Sequence, residues 1–262
     1  MDLSVIEQAE IQTLQSRLTA IQAIEGNPMG VHQLVKGKTN AFAVKNIPGP
    51  AFNTVRGLNE NDIPYLDALV DFYEKFSIDF RVEITPTNSS DSLFRALTNK
   101  GFYQTGFHAS FIGRGVEKRS QINQPYIEVC SLKRDDFDLF ASIYVEGFGL
   151  PSFIRNGIKQ NNEVLFDVPG WDFYVAYVKD MPAGIAVLFV QNEMATLAAA
   201  ATLPEYRGMG VQSTLIQKRI QVAIKRGAKH ITSEAAFGSA SHRNMERAGL
   251  KLAYTKALWE RL

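Results

Sequence analysis

The chain is short of cysteine, of any surplus charge and of long apolar runs, and each shortage closes off a class of protein. It has 262 residues and one cysteine, Cys130. No internal disulfide can form, and no Cys/His cluster has the spacing of a zinc site, so no metal is expected. Lys and Arg number 28 against 27 Asp and Glu, a net charge of +1. So even a balance leaves no electrostatic footprint for nucleic acid or for an anionic membrane surface. No stretch approaches the ~18 apolar residues of a membrane span, and the first residues lack the apolar region of a signal peptide. A reduced, cytoplasmic setting is the expectation. The chain also lacks a Gly-x-x-x-x-Gly-Lys-Ser/Thr loop. Its Gly238-Ser239-Ala240-Ser241 is not the Gly-x-Ser-x-Gly elbow of a serine hydrolase.

What is there is apolar and aromatic. Hydrophobic residues make up 45% of the chain, with 17 Phe and 9 Tyr, which permits a large packed core and argues against disorder. Residues 3–24 carry Ile6, Ile11, Leu14, Leu18, Ile21 and Ile24 at helical spacing, ended by Gly26-Asn27-Pro28. Short strands are expected at 42–44 and 52–55, and a helix near 63–76 capped by Asn61 or Asp62. A strand at 80–84, a helix at 93–99 stopped by Gly101, and a long strand at 102–112 follow. Residues 114–125 are polar and without period, the place for a domain boundary. Beyond it come a strand at 126–130, helices from Asp135 or Asp136 to Val145 and at 153–165, and three strands at 171–178, 183–190 and 195–202. A helix from Val211 to Gly227, a strand at 230–235, a helix at 239–248 and a strand at 251–259 close the order. This is a mixed α/β pattern, a central mixed sheet flanked by helices.

The densest chemistry lies between the third of those strands and the helix after it. Ala198–Ala201 lead into Thr202-Leu203-Pro204-Glu205-Tyr206-Arg207-Gly208-Met209-Gly210-Val211-Gln212-Ser213. Ile216, Ile220, Ala223 and Ile224 then repeat as a helix. The first N–H groups of that helix have no partner inside it and sit at the positive end of its dipole, an anion site. Gly208 and Gly210 can take positive φ and let a ligand approach the backbone, and Arg207 adds a positive charge. Read as chemistry alone, the stretch is either a phosphate cradle or a tight turn. Arg207-Gly208-Met209-Gly210 lacks the third glycine and the acidic partner of a dinucleotide fingerprint.

The whole stretch resembles the acetyl-CoA-binding motif of the GCN5-related N-acetyltransferase (GNAT) superfamily, Arg/Gln-x-x-Gly-x-Gly/Ala after a strand end. Arg207, Gly208, Gly210 and Val211 match, whereas Gln212 stands where the family has Gly or Ala. The order of elements over about 126–262 follows the same superfamily. The resemblance implies a tandem acyl-CoA N-acyltransferase-like fold with three segments. These are an N-terminal helix and degenerate half over 1–115, a linker over 116–125, and an acetyltransferase domain over 126–262. The tandem reading has an internal echo. Ala109 and Phe111 follow Gly101 at the spacings with which Ala257 and Trp259 follow Gly249. The first half's counterpart of the phosphate turn, Arg56-Gly57-Leu58-Asn59-Glu60, has one glycine and an acid, so no CoA is expected there.

By the same resemblance the activity is transfer of an acetyl group from acetyl-CoA to the amine of an unidentified small acceptor. The expected cofactor contacts are Thr202, Leu203, Arg207, Gly208, Met209, Gly210, Val211, Gln212, Ser213 and Asn244. Thr202 and Leu203 would pair with the pantetheine arm through their backbone. The family's catalytic Tyr falls on Met245, which cannot donate a proton, and its CoA-contacting Asn falls on Gly238. Candidates for acid or base work are Glu146, Glu234 and His242, with Glu193 beside them. For each, a solvated or structural role is the competing reading, and Ser239 reads as a helix cap. The expected partners are acyl-CoA and an amine, with no nucleic acid and no membrane, and a homodimer is compatible. The alternative is a CoA-binding or partner-binding module without turnover.

Overall fold

A computed structural model describes residues 3–47, 49–114 and 125–261. The helices are α1 (Ser4–Gln22), α2 (Leu66–Glu74), α3 (Asp91–Asn99), α4 (Phe137–Phe148), α5 (Arg155–Glu163), α6 (Val211–Lys225) and α7 (Ala240–Arg247). The first strands are β1 (Val31–Lys36), β2 (Thr39–Val44), β3 (Thr54–Arg56), β4 (Arg81–Ile84), β5 (Phe102–Arg114) and β6 (Ile127–Ser131). The remainder are β7 (Trp171–Val178), β8 (Met181–Gln191), β9 (Met194–Thr202), β10 (His230–Ala236) and β11 (Lys251–Arg261). Residues 116–124 of the expected linker lie outside the described residues.

The elements form two compact units. One comprises Met1–Ser110, Ala235–Phe237 and Leu252–Leu262; the other comprises Phe111–Glu234 and Gly238–Lys251. In the first unit the strand order is β1-β2-β3-β4-β11-β5. β11, which the sequence order placed at the end of the second half, lies in the first unit's sheet and pairs antiparallel with β4 from Ala257↔Ile84 to Glu260↔Arg81. Trp259 packs in one cluster with Ala41, Val55, Leu69, Tyr73, Val82 and Leu97.

Several local expectations shift for physical reasons. β1 was not anticipated: Val31, His32, Gln33 and Leu34 alternate weakly, and it pairs with β2 through the turn at Gly37. Asn59, not Asn61 or Asp62, caps the 3-10 turn ahead of α2 by accepting from the N–H of Asn61. Asp62 is buried and accepts from the Lys38 N–H and the Thr39 hydroxyl instead. Gly147 does not break α4, which runs on to Phe148 and ends at Gly149 with φ +66°. The buried face of α1 carries two carboxylates besides its isoleucines and leucines. Glu10 accepts from the Lys256 ammonium at 3.0 Å and from the Ser110 hydroxyl at 2.7 Å. Glu7 accepts from the Gly57 N–H at 3.1 Å and from Asn88 at 2.8 Å. Lys256 also reaches Glu83 at 2.8 Å, and Arg81 reaches Glu83 at 2.9 Å.

In the second unit the order is β10-β9-β8-β7-β6, antiparallel except for the parallel pair β9 and β10. Residues Ala183–Val190 of β8 are buried on both faces. α4 and α6 both pack against β8 and β9, so they cover opposite faces of this sheet. The connection β9–α6–β10 leaves the C-terminal end of β9 facing the start of α6, the position where α/β sheets hold ligands.

Candidate active site

The site starts from an interruption in pairing. β9 and β10 pair from His230↔Met194 to Ser233↔Leu197. Past Leu197, β9 continues to Thr202 beside β8 alone among the described pairings. The open edge is built of Ala198, Ala199, Ala200 and Ala201, so no bulky side chain covers the backbone. α4 closes over it at short range. A Cβ on Gly147 would stand 2.8 Å from the Cβ of Ala201 and 3.3 Å from the Thr202 carbonyl oxygen, so only glycine permits this approach.

The chain then turns through Pro204–Tyr206 into Arg207–Gly210. Gly208 has φ +80° and Gly210 φ +91°, values that side chains with a Cβ seldom adopt. Gly210 is the N-cap of α6 and brings no side-chain cap. The first N–H to find a backbone carbonyl is that of Thr214, 3.0 Å from the Gly210 oxygen. The N–H groups of Val211, Gln212 and Ser213 are therefore the free donors that every helix start carries, unscreened by any side chain of the turn. A Cβ on Gly208 would meet nothing within 4 Å, which leaves the cradle open.

Turn and strand edge line a cavity of about 540 Å³. Gly147 and Phe148 of α4 form one wall, and Ala240, Ser241, Asn244 and Arg247 of α7 another. Two guanidinium groups, Arg207 and Arg247, line it, and no carboxylate does among the described residues. Arg207 donates to the Gly147 carbonyl at 2.8 Å, which ties the turn to the end of α4. Arg247 donates to the Asn244 side-chain oxygen at 3.1 Å. The Thr202 hydroxyl is buried and has no hydrogen-bond partner among the described residues. A cationic, backbone-rich cavity with an unsatisfied hydroxyl suits a phosphate chain carrying a polar arm.

Of the ten expected cofactor residues, eight line this cavity: Thr202, Arg207, Gly208, Gly210, Val211, Gln212, Ser213 and Asn244. Leu203 is buried and its backbone is satisfied internally, donating to Ala183 at 2.9 Å and accepting from Tyr206 at 3.0 Å. Met209 is exposed and outside the lining. None of the acid or base candidates lines the cavity. Glu146 is exposed on α4, and Glu193 pairs with Lys229 in the turn after β8. Glu234 is half-buried on β10. His242, expected at the surface, is buried: its Nδ1 accepts from the Gly238 N–H at 3.4 Å and its ring meets Phe111 edge-on at 4.8 Å. Ser239 caps α7 by accepting from the His242 N–H. Met245 is buried. Sequence reasoning missed Tyr206 and Arg247, both in the lining. The signal for Arg247 was its spacing from Ala240 and Asn244 on one face of α7.

The model of the Acetyltransferase (GNAT) family matches residues 137–250. The chain carries a GNAT domain. That domain contains every residue lining the cavity, and its fold supports acyl transfer from CoA in general. Among solved structures, a GCN5-related N-acetyltransferase from Kribbella flavida is similar with a TM-score of 0.68 at 11% identity, over 94% of this chain and 95% of that one. A tandem GNAT protein from the clavulanic acid biosynthesis pathway is similar with a TM-score of 0.65 at 10% identity, over 95% and 94%. A functionally unknown conserved protein from Staphylococcus epidermidis gives 0.65 at 12%, over 92% and 96%. At these identities the likeness is one of fold, and it extends beyond the GNAT domain to nearly the whole chain. No curated protein matches the chain. No helix of the described residues is long and apolar enough to cross a membrane.

Proposed function

We propose that the GNAT domain transfers an acetyl group from acetyl-CoA to the amine of a small acceptor. The observation that carries this is the acid-free cavity at the uncapped start of α6. The CoA pyrophosphate would rest on the N–H groups of Val211, Gln212 and Ser213, with Arg207 and Arg247 as fixed counter-charges. The pantetheine arm would lie along the open edge of β9, where Thr202 offers its hydroxyl and Asn244 its amide. In the transfer a neutral amine forms a C–N bond to the thioester carbon, the C–S bond breaks with its electron pair on sulfur, and the proton shed by the nitrogen passes through water to the departing thiolate. A thiolate of pKa about 8.5 leaves without a strong acid, and alignment of the reactants supplies much of the rate. The hydroxyls of Tyr206 and Ser241 are the cavity's own proton donors for the departing sulfur.

In this reading the first unit is a degenerate partner without a cofactor of its own. The N–H of Gly57, at its counterpart of the phosphate turn, is taken by the Glu7 carboxylate. A second reading, a CoA-binding module without turnover, has two specific supports: Met245 is buried where the family has its Tyr, and Glu146, Glu234 and His242 all stand outside the lining.

Calorimetric titration with acetyl-CoA tests the site. Gly208→Glu places bulk and negative charge in the cradle and should weaken binding by at least about 100-fold, with a smaller loss in Arg207→Ala. An unchanged affinity in folded Gly208→Glu removes the site assignment. A panel of amines with thiol detection then separates the two readings, because a binding module releases no CoA.

A further inference from the structure

α4 runs out into exposed apolar side chains. Phe148 forms part of the cavity wall and is 47% exposed, and Leu150 is 37% exposed. Phe153 is 84% exposed, more than any other large apolar side chain among the described residues. Single exposed apolar residues are ordinary, but three within six positions, continuing a cavity wall, mark a place that seats something apolar. The segment is fixed by its backbone. Gly149 takes φ +66°, its N–H donates to the Glu146 carbonyl at 3.0 Å, and the Leu150 N–H donates to the Val145 carbonyl at 2.8 Å. The Tyr144 ring lies 4.7 Å from that of Phe148.

The same bonds use the groups that would receive a cation. A helix C-terminus is a negative pole and holds ammonium groups through its last carbonyls. At α4 the carbonyls of Val145 and Glu146 already have these donors, and that of Gly147 has Arg207. The polar lining of the cavity consists of hydroxyls, two carboxamides and two guanidinium groups. Among the described residues no carboxylate and no imidazole lines it.

Acyl transfer begins from a nitrogen lone pair. An alkylamine of pKa near ~10 is neutral in roughly one molecule in a thousand at pH 7. It must lose a proton before it reacts, and this lining offers no group to take that proton or to pair with the ammonium. An amine borne on an aromatic ring shares its lone pair with the ring and is uncharged at pH 7. It also presents a ring face that packs on phenylalanine.

We propose that the acceptor is an aromatic amine, uncharged at neutral pH, whose ring rests on Phe148, Leu150 and Phe153 while its nitrogen reaches into the cavity towards the thioester. This rests on the acyl-CoA reading above. The step balances without a base. The lone pair forms the C–N bond, the C–S bond breaks with its electron pair on sulfur, and the one proton shed by nitrogen passes through water to the thiolate. Leu150 and Phe153 lie outside the cavity lining, so they set specificity and are not catalytic residues.

Three amines and two variants test it. Para-toluidine and benzylamine are isomers that differ in whether the nitrogen sits on the ring or one carbon away, and methoxyamine is uncharged but has no ring. Thiol release from acetyl-CoA at pH 7 should give para-toluidine a kcat/KM at least about tenfold above each of the others. Phe153→Ser and Leu150→Ser change exposed side chains and should fold. Phe153→Ser should raise KM for para-toluidine about tenfold, with acetyl-CoA affinity by calorimetry within about threefold of wild type. Benzylamine or methoxyamine matching para-toluidine overturns the aromatic-amine class. An unchanged KM in both variants overturns the seat. Either result leaves the acyl-CoA reading standing. A protein that binds acetyl-CoA but releases thiol with none of the three overturns the proposal in favour of the binding module. Failure to bind acetyl-CoA overturns the cofactor reading beneath it.

Discussion

At the scale of single residues, buried charge distinguishes the two units. Arg219 on α6 in the second is buried without a counter-ion among the described residues, whereas the carboxylates of Glu10 and Glu83 in the first are met by Lys256, Arg56 and Arg81. Burial alone would push the Glu83 carboxyl up, but the surrounding Arg56, Lys256 and Arg81 charges outweigh it and hold the group well below the ordinary range. A carboxylate depressed in the native state contributes stability that is complete above its unfolded pKa, about 4.3, and is lost as pH falls through its native value. Glu7 runs the other way: burial raises its carboxyl, so it withdraws stability as pH rises through the ordinary range. Lys256→Met leaves buried carboxylates short of a cation and should cost about 3–5 kcal/mol near neutral pH. Urea unfolding repeated at about pH 3 should give a smaller difference, because the variant, one cation short, can relieve its buried carboxylates by taking up protons there, while the wild type keeps Glu83 ionised. Little of this was legible in the sequence. Glu7 and Glu10 sit among Ile6, Ile11 and Leu14, and nothing local says that residues some fifty to two hundred and fifty positions away supply their partners. Gly208, Gly210 and Arg207 were legible, because the conformation they need is written into adjacent residues.

At the scale of elements, the contact that shapes the site is α4 against β9. It depends on Gly147, which sequence reasoning took for a break because glycine disfavours helices by about 1 kcal/mol. The helix continues since its buried face, Phe137, Phe140, Ala141 and Ile143, outweighs that preference. Gly147→Val drives carbon into the Ala201 Cβ and the Thr202 backbone. We expect a loss of about 1–3 kcal/mol in urea denaturation from overpacking. Acetyl-CoA affinity should weaken too, since α4 would be displaced from the cavity wall. The helices and strands of the second unit lie close to where their periodicity put them. The bulge at Ala198 and Ala199, between the pairs Ala186↔Ala200 and Leu188↔Leu197, was not visible, because a run of alanine has no alternation from which a slip of register could be read. The echo between the two helix–glycine–strand segments does have a structural counterpart: Gly101 and Gly249 have φ +82° and +77°, and each leads from a helix into a long strand, β5 and β11.

At the scale of the whole molecule, neither unit is a contiguous piece of chain. A cut at the polar stretch after residue 114 would strip the first unit of β11, and with it Lys256 from the ionic cluster and Trp259 from the apolar one. We expect the fragment 1–114 to show no cooperative unfolding transition alone and to recover one when co-expressed with residues 125–262. A sharp, two-state melt of 1–114 by itself would contradict the assignment of β11 to that unit. The order of assembly during synthesis follows. Between β5 and β11 lie about 140 residues, roughly seven to thirty seconds of translation. For that interval the facing edges of β4 and β5 have no strand between them, and open edges invite pairing with other chains. The half of the protein that leaves the ribosome first is thus the half that is completed last. A premature stop codon just after Gly249 would spare every residue lining the cavity and still ruin the opposite end of the polypeptide.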